Sequence, residues 1–174
     1  LGDASKVFDA LAVLSEESEW QSIIFKMKTS LAEAHSVSDF ARSLNLKRGV
    51  TGYSLHVVPV ALFTWLRHPD DFRAALIAVL DCGGDTDTVG AMGGALMGAR
   101  LGRGAIPQEW LAGICDQPRS PGLLVQVAER LSRQRNARRA LGPVRYFWPW
   151  LVIRNVVFLI TVLCHGFRRL LPPY

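Results

Sequence analysis

Apolar residues recur three or four positions apart along most of the chain, which is the period of an amphipathic helix. This spacing predicts helices over residues 5–14 and 18–34, each with one buried face. Ser38 and Asp39 predict an N-terminal cap for a short helical turn that ends near Leu44. Because no stretch alternates apolar and polar residues over a useful strand length, the pattern predicts an all-α fold with a compact multi-helix domain.

The middle of the chain predicts a loop followed by a central helix. Residues 45–56 lose the helical period and contain two glycines, which is typical of a loop. A helix is then predicted from Val57 to about Arg67, with Pro59 in its first turn, where a missing N–H is tolerated. Its high apolar content favours a central position in the core.

A third strongly patterned segment, from Thr86 to about Leu101, combines a helical period with small residues. Gly90, Gly94 and Gly98 are four residues apart and therefore lie on one side of the predicted helix. Each glycine costs a helix roughly 1 kcal/mol relative to alanine. We therefore expect another backbone to lie close against this bare stripe.

The end of the chain carries the longest apolar segment. Residues 146–167 contain one charged side chain, Arg154, and arginines flank the segment on both sides. This length of 22 residues is close to the roughly 20 of a membrane-spanning helix, but Arg154 interrupts the apolar run. Three interpretations stay open: a helix on or re-entering a membrane surface, a true span, and a helix packed on protein.

Charge is divided unevenly along the chain, which has a net charge of +5. Residues 130–174 contain nine arginines and no acid, whereas residues 1–129 contain 11 basic and 15 acidic residues. Attraction to phosphates or anionic lipid should therefore be local to the tail. The arginine run 130–139 has no interleaved aromatic residue, so nucleic acid is not an expected partner. Nothing in the sequence predicts an oligomeric state.

These patterns predict three segments: a helical domain over 1–119, a basic amphipathic helix over 120–145, and an apolar, membrane-associated tail over 146–174. The three cysteines form no disulfide or zinc pattern, so we expect a reducing, cytoplasmic setting with the tail against the inner membrane face. Because the chain begins with a leucine and no initiating methionine precedes it, we expect it to be a fragment whose beginning is missing.

Oxygen ligands are concentrated in one hexapeptide, Gly83-Gly84-Asp85-Thr86-Asp87-Thr88, at the predicted start of the glycine-rich helix. Asp85, Asp87 and Thr88 can place three oxygens on one cation, and an all-oxygen set suits magnesium, manganese or calcium better than zinc or copper. The alternative is a helix cap on a glycine turn, with no metal. One cap needs one oxygen, and this turn supplies four.

The amino-acid sequence of this region is similar to that of a known family. DCGGDTDTVGAMGGALMGARLGRGAIPQEWLAG resembles the C-terminal signature of the ADP-ribosylglycohydrolases, and GVTGYSLHVVPVALFTWLRHPDDFRAAL resembles the helices before it. Together they cover about residues 45–114. The resemblance implies an all-α fold with two Mg²⁺ ions, or Mn²⁺ in their place, at the floor of a cleft. There, ADP-ribose is released from a modified protein side chain or a small molecule.

The resemblance also implies roles for particular residues. Asp85, Asp87 and Thr88 would be metal ligands, whereas the substrate would lie against the residues Gly83, Gly84, Gly52 and Tyr53. His56, beside the same segment, is a further candidate for a substrate contact.

One part of the family pattern is missing, because a Thr-Asp-Asp group near the family's N-terminus has no counterpart here. We therefore expect the catalytic residues and half of the metal site to precede Leu1, and the 174 residues alone to be inactive. Two alternatives stay open: a non-catalytic family member, and a membrane-anchored interaction or structural protein.

Overall fold

The computed structural model describes residues 2–137 and 140–170, and the chain divides into two compact units, Leu1–Pro107 and Gln108–Tyr174. Within these described ranges the secondary structure is helical, without a strand, so the all-α prediction is confirmed. The helices are α1 (Gly2–Ala12), α2 (Ser18–Ala32), α3 (Val37–Ser43), α4 (Ser54–Arg67), α5 (Phe72–Leu80), α6 (Thr86–Leu101), α7 (Gln108–Gly113), α8 (Pro121–Asn136) and α9 (Pro149–Leu170), with a 3-10 turn at Arg103–Ala105.

Helix α4 is the centre of the first unit and packs against α2, α3, α5 and α6. Its Phe63 is fully buried and stacks on Phe40 of α3, with ring centroids 4.4 Å apart. Val60 of α4, Val79 of α5 and Met97 of α6 are also buried. The predicted central position of α4 is therefore confirmed. Packing against α4 also holds α6, the helix whose first turn contains the end of the hexapeptide.

Two predicted helix starts are wrong by a few residues. Helix α4 begins at Ser54, so Pro59 is its sixth residue and does not lie in the first turn. Residues 54–56 extend the helix because the N–H groups of His56 and Val57 both donate to the Tyr53 carbonyl. Helix α3 is capped by Ser36, whose hydroxyl accepts from the Asp39 N–H in a reciprocal capping box.

The predicted glycine stripe on α6 is covered at one end only. A Cβ added at Gly90 would lie 3.0 Å from Leu80 Cδ2, whereas one added at Gly94 or Gly98 would meet nothing within 4 Å. Gly93, which the four-residue spacing missed, is the glycine that faces Val79. The close approach therefore involves side chains of α5 and not a second backbone along the whole helix.

The second unit contains α7, α8 and α9. Ser120 caps α8 by accepting from the Leu123 N–H, with Pro121 as the first helical residue. Arg154 of α9 pairs with Asp116, Nε to Oδ1, at 2.8 Å. No side chain of α9 is buried. The predicted apolar tail is therefore helical over 149–170; its residues 171–174, like Arg138 and Arg139 of the basic run, lie outside the described residues.

By length and composition, α9 could cross a membrane, and it is the one such helix in the described part of the chain.

Candidate metal-binding turn

The hexapeptide is a tight connection between α5 and α6. Helix α5 ends at Leu80, and the Gly83 N–H donates back to the Leu80 carbonyl at 3.0 Å. Gly83 and Gly84 then take positive φ angles of 68° and 81°. Residues with a side chain rarely adopt these backbone angles, so the two glycines allow the chain to reverse within a few residues. The predicted glycine hinge is confirmed.

The loop before α4 is held against this turn by two backbone hydrogen bonds. The Val50 N–H donates to the Gly83 carbonyl at 3.0 Å, and the Asp85 N–H donates to the Val50 carbonyl at 2.7 Å. Val50 and Gly84 thereby form an isolated parallel bridge. The bridge fixes the backbone of Gly83 and Asp85 against Val50. Because Val50 is fully buried in the core, the position of Asp85 is fixed as well.

Three glycines make this close approach sterically feasible. Gly49 has a φ of 105°, and a Cβ there or at Gly84 would overlap the opposing backbone. A Cβ at Gly52 would lie 2.9 Å from Asp85 Oδ2. Gly52, singled out by the resemblance, is thus placed directly beside the carboxylate of Asp85.

The side chains of Asp85, Asp87 and Thr88 lie together at the first turn of α6. Hydrogen-bonding contacts with Asp87, and then with Thr88, lower the pKa of the Asp85 carboxyl from its usual value. The Asp87 side chain is exposed, and those of Asp85 and Thr88 are half-buried. The turn therefore brings one hydroxyl and two carboxyl groups close together, with at least part of each open to solvent.

Helix capping alone does not explain these carboxylates. Asp85 is the N-cap of α6 by position, yet its side chain makes no capping hydrogen bond of good geometry. The Thr88 N–H donates instead to Asp87 Oδ1 at 3.0 Å, although it also lies close enough to Asp85 to stabilise the ionised form. Asp85 therefore keeps oxygen lone pairs for another partner.

Tyr53 and His56 border the same loop in a different way. Tyr53 is the N-cap of α4 and is 51% exposed, and its ring meets His56 edge to face at 5.1 Å. The His56 Nδ1 atom hydrogen-bonds Thr51 Oγ1 at 2.8 Å, and the Tyr53 N–H donates to the same hydroxyl. His56 therefore supports the loop, and Tyr53 remains open to solvent on one side.

The donor set of the turn fits a hard cation. Mg²⁺ prefers six oxygens at octahedral positions, often several of them water. Two carboxylates and a hydroxyl supply part of such a set, and Gly52 leaves the space beside Asp85 Oδ2 free of a side chain. Among the described residues there is no group of three or more His, Cys, Asp and Glu side chains that could hold a metal ion.

Sequence reasoning missed Gly49 and Val50, which hold the turn from the other side. Two glycines in an aperiodic loop were the available signal, but a pairing across more than 30 residues leaves no local trace. Asp70 and Asp71 form a second acidic pair in the sequence, but neither belongs to the turn. Asp71 caps α5 and Asp70 pairs with Arg100 at 3.1 Å.

The fold and the site define one class of protein. Its described residues are helical, and glycines allow the backbone contacts that hold an acidic turn in place. The family model for ADP-ribosylglycohydrolases matches residues 2–140. The chain therefore belongs to the ADP-ribosylglycohydrolase family.

Individual relatives agree with this assignment. The ADP-ribosylhydrolase ARH3 of Homo sapiens is 30% identical over 140 residues, covering 75% of this chain and 38% of the relative. ARH3 of Mus musculus is 32% identical over 119 residues, covering 63% and 31%. An uncharacterized protein of Archaeoglobus fulgidus is 39% identical over 71 residues, covering 41% and 22%. No solved structure gives a significant match.

The chain spans about a third of the length of the mammalian relatives it matches.

Proposed function

We propose that this chain supplies the metal-binding turn and one wall of the substrate cleft of a magnesium-dependent ADP-ribosyl hydrolase. The substrate would be an ADP-ribosylated protein or an ADP-ribose derivative with an N- or O-glycosidic bond. Family membership supports the reaction class, and the convergence of Asp85, Asp87 and Thr88 beside Gly52 is the observation that carries the proposal.

The roles of the residues follow from their positions. Asp85, Asp87 and Thr88 would hold Mg²⁺, or Mn²⁺ in its place, with two ions in the complete centre. When bound, such an ion polarises oxygen atoms and orients water and ribose hydroxyls. Gly83, Gly84 and Gly52 would let the substrate approach the backbone, and Tyr53 would border the cleft with its exposed ring.

Hydrolysis requires more than this turn. The bond from the ribose anomeric carbon to the leaving nitrogen or oxygen breaks, a water oxygen bonds to that carbon, and a water proton passes to the leaving group. Developing positive charge at the anomeric carbon needs nearby stabilisation. We assign these steps to groups other than the turn itself.

The test is release of ADP-ribose from an ADP-ribosylated protein, with and without Mg²⁺. We expect no release by the 174-residue chain and magnesium-dependent release by the longest polypeptide that its gene encodes. Replacing Asp85→Asn and Asp87→Asn in the longer protein should lower the rate at least 100-fold, since positioning and charge stabilisation are both lost. A matched pair of exposed acids, Asp9→Asn with Asp81→Asn, should leave the rate unchanged.

A second candidate is a non-catalytic family member that acts as a membrane-anchored interaction protein. The exposed apolar face of α9 favours it, because attachment needs no catalytic centre. This alternative predicts that the longest gene product releases no ADP-ribose at any Mg²⁺ concentration and that the Asp85 and Asp87 substitutions change nothing.

A further inference from the structure

One face of helix α9 is entirely apolar, and the other face holds all of its charged and amide side chains. Positions 152, 156, 159, 160, 163, 167 and 170 follow the helical period and are all apolar. The other side is mixed: it carries the polar or basic residues at 154, 155, 165, 168 and 169, together with apolar residues such as Val157, Phe158 and Val162. We propose that α9 binds the surface of an anionic lipid bilayer, with its axis parallel to the membrane plane.

The apolar face is free in the described structure. Val156 is 50% exposed, Leu159 56%, Leu163 48% and Phe167 64%. Soluble proteins rarely leave a contiguous apolar strip of this length in water, and such a strip marks an interaction site. The face needs a partner that is apolar along all six turns of the helix.

The basic residues identify that partner as an anionic membrane. Arg168 and Arg169 extend from the polar side of the last turn, and Arg145 precedes the helix. Trp148 and Trp150, at the other end, are 66% and 45% exposed, and tryptophan favours the headgroup region of a bilayer. Apolar side chains below and arginines beside the headgroups are the composition of an interfacial helix.

The ion pair between Arg154 and Asp116 fixes which face is free. Asp116 Oδ1 and Oδ2 lie 2.8 and 3.3 Å from the Arg154 guanidinium, and Arg154 also donates to Asn155 Oδ1 at 3.2 Å. Arg154 and Leu151 are the half-buried members of a helix otherwise exposed through residue 170, apart from Pro149. The polar side of α9 is thus held by its own unit, which leaves the opposite, apolar side for lipid.

A parallel orientation fits these positions better than a span. Arg154 and His165 are separated by 11 residues and lie on the same side of the helix, so the polar face extends along its length. A spanning helix would place Arg154, Asn155 or His165 in hydrocarbon, where charged side chains are costly. An interfacial helix keeps all of them at the headgroup level.

The experiment measures flotation of the 174-residue protein with vesicles of phosphatidylcholine, alone or mixed with 30 mol% phosphatidylserine. We expect strong binding to the mixed vesicles and weak binding to neutral ones. Arg168→Gln with Arg169→Gln should weaken binding to the anionic vesicles roughly 30-fold, about fivefold per arginine. Equal binding to both vesicle types, or no binding to either, would overturn the proposal.

Variants on the apolar face test which surface enters the lipid. Leu159→Asp with Leu163→Asp should lower binding roughly 100-fold, about tenfold or more for each buried leucine lost. Both positions are exposed, so helical circular dichroism should stay unchanged in solution. Phe25→Asp, at a residue 70% exposed on α2, is the matched control and should bind as the unaltered protein does. Equal loss in the control would contradict an α9 site.

Alkaline carbonate distinguishes the two membrane orientations. We expect carbonate to release the bound protein, because an interfacial helix is extracted and a spanning one is retained. Retention would overturn the parallel orientation. Self-association of the protein through α9, with loss of vesicle binding, would show that a second copy covers this face and would overturn the lipid assignment.

Discussion

Helices α4 and α9 are both long and apolar, yet they have opposite surroundings. Helix α4 buries Val57, Val60 and Phe63 among four neighbouring helices. Helix α9 buries no side chain, although it is eight residues longer. The difference teaches that apolar content sets the need for a partner, while neighbouring elements decide whether that partner belongs to the same unit.

The interactions that hold the two helices in place differ accordingly. Core packing holds α4, including the stacked rings of Phe40 and Phe63. Helix α9 is held by an ion pair whose side chains, Arg154 and Asp116, are 39% and 35% exposed. Packing of large side chains is worth several kcal/mol, whereas a partly exposed ion pair is worth about 1 kcal/mol or less.

The largest effect should come from shortening a buried ring. We expect Phe63→Ala to lower the free energy of unfolding of the first unit by about 3–5 kcal/mol, because it removes buried apolar area and leaves a cavity. Phe158→Ala on α9, where the ring is 65% exposed, should change stability by about 0.5 kcal/mol or less in solution. Urea unfolding followed by circular dichroism measures both. Equal effects would mean that α9 has a buried partner in solution.

A second comparison lies within α6 and its turn. Gly84→Ala should destabilise the first unit by at least about 2 kcal/mol, since it combines a left-handed backbone with overlap against Val50. Gly94→Ala, where an added Cβ meets nothing within 4 Å, should stabilise it by up to about 1 kcal/mol. Thermal unfolding of the two variants provides the measurement. If Gly84→Ala is tolerated as well as Gly94→Ala, the bridge to Val50 does not hold the turn.

Much of this architecture was predictable because its causes are local. The apolar period located the helices, and the paired glycines predicted the reversal before α6. The start of α4 was missed because residues 54–56 have no apolar period of their own and are helical through bonds to the Tyr53 carbonyl. The cap of α3 was misplaced because both Ser36 and Ser38 suit a cap, and the capping box with Asp39 decides between them.

The candidate site was predictable only in part. Asp85, Asp87 and Thr88 are contiguous, so their convergence follows from one turn of backbone. Gly49 and Val50 are more than 30 residues before the turn, and the two glycines of their loop do not indicate which segment the loop pairs with. Gly52 and Tyr53 entered through a family resemblance, and the structure places Gly52 beside Asp85 Oδ2. The assignment of Mg²⁺ stays a prediction.

The smallest effect should follow removal of the ion pair between Arg154 of α9 and Asp116. We expect Asp116→Asn to raise amide hydrogen exchange in the N-terminal half of α9 by up to about fivefold, which corresponds to about 1 kcal/mol or less. Salt screens partly exposed pairs, so the difference from the unaltered protein should shrink in 0.5 M NaCl. Glu129→Gln, which removes an exposed acid that pairs with Arg133 on α8, serves as the control. A salt-independent change larger than tenfold would show that Asp116 does more than pair with Arg154.

Manganese binding to the 174-residue chain, followed by the electron paramagnetic resonance signal of free Mn²⁺, tests the central claim most directly. The account predicts a saturable site whose affinity falls at least tenfold when Asp85→Asn and Asp87→Asn are combined. Asp9→Asn with Asp81→Asn should leave that affinity unchanged. Superimposable binding curves for the unaltered chain and the Asp85/Asp87 variant, whether binding is strong or absent, would contradict the assignment of this turn as a metal site.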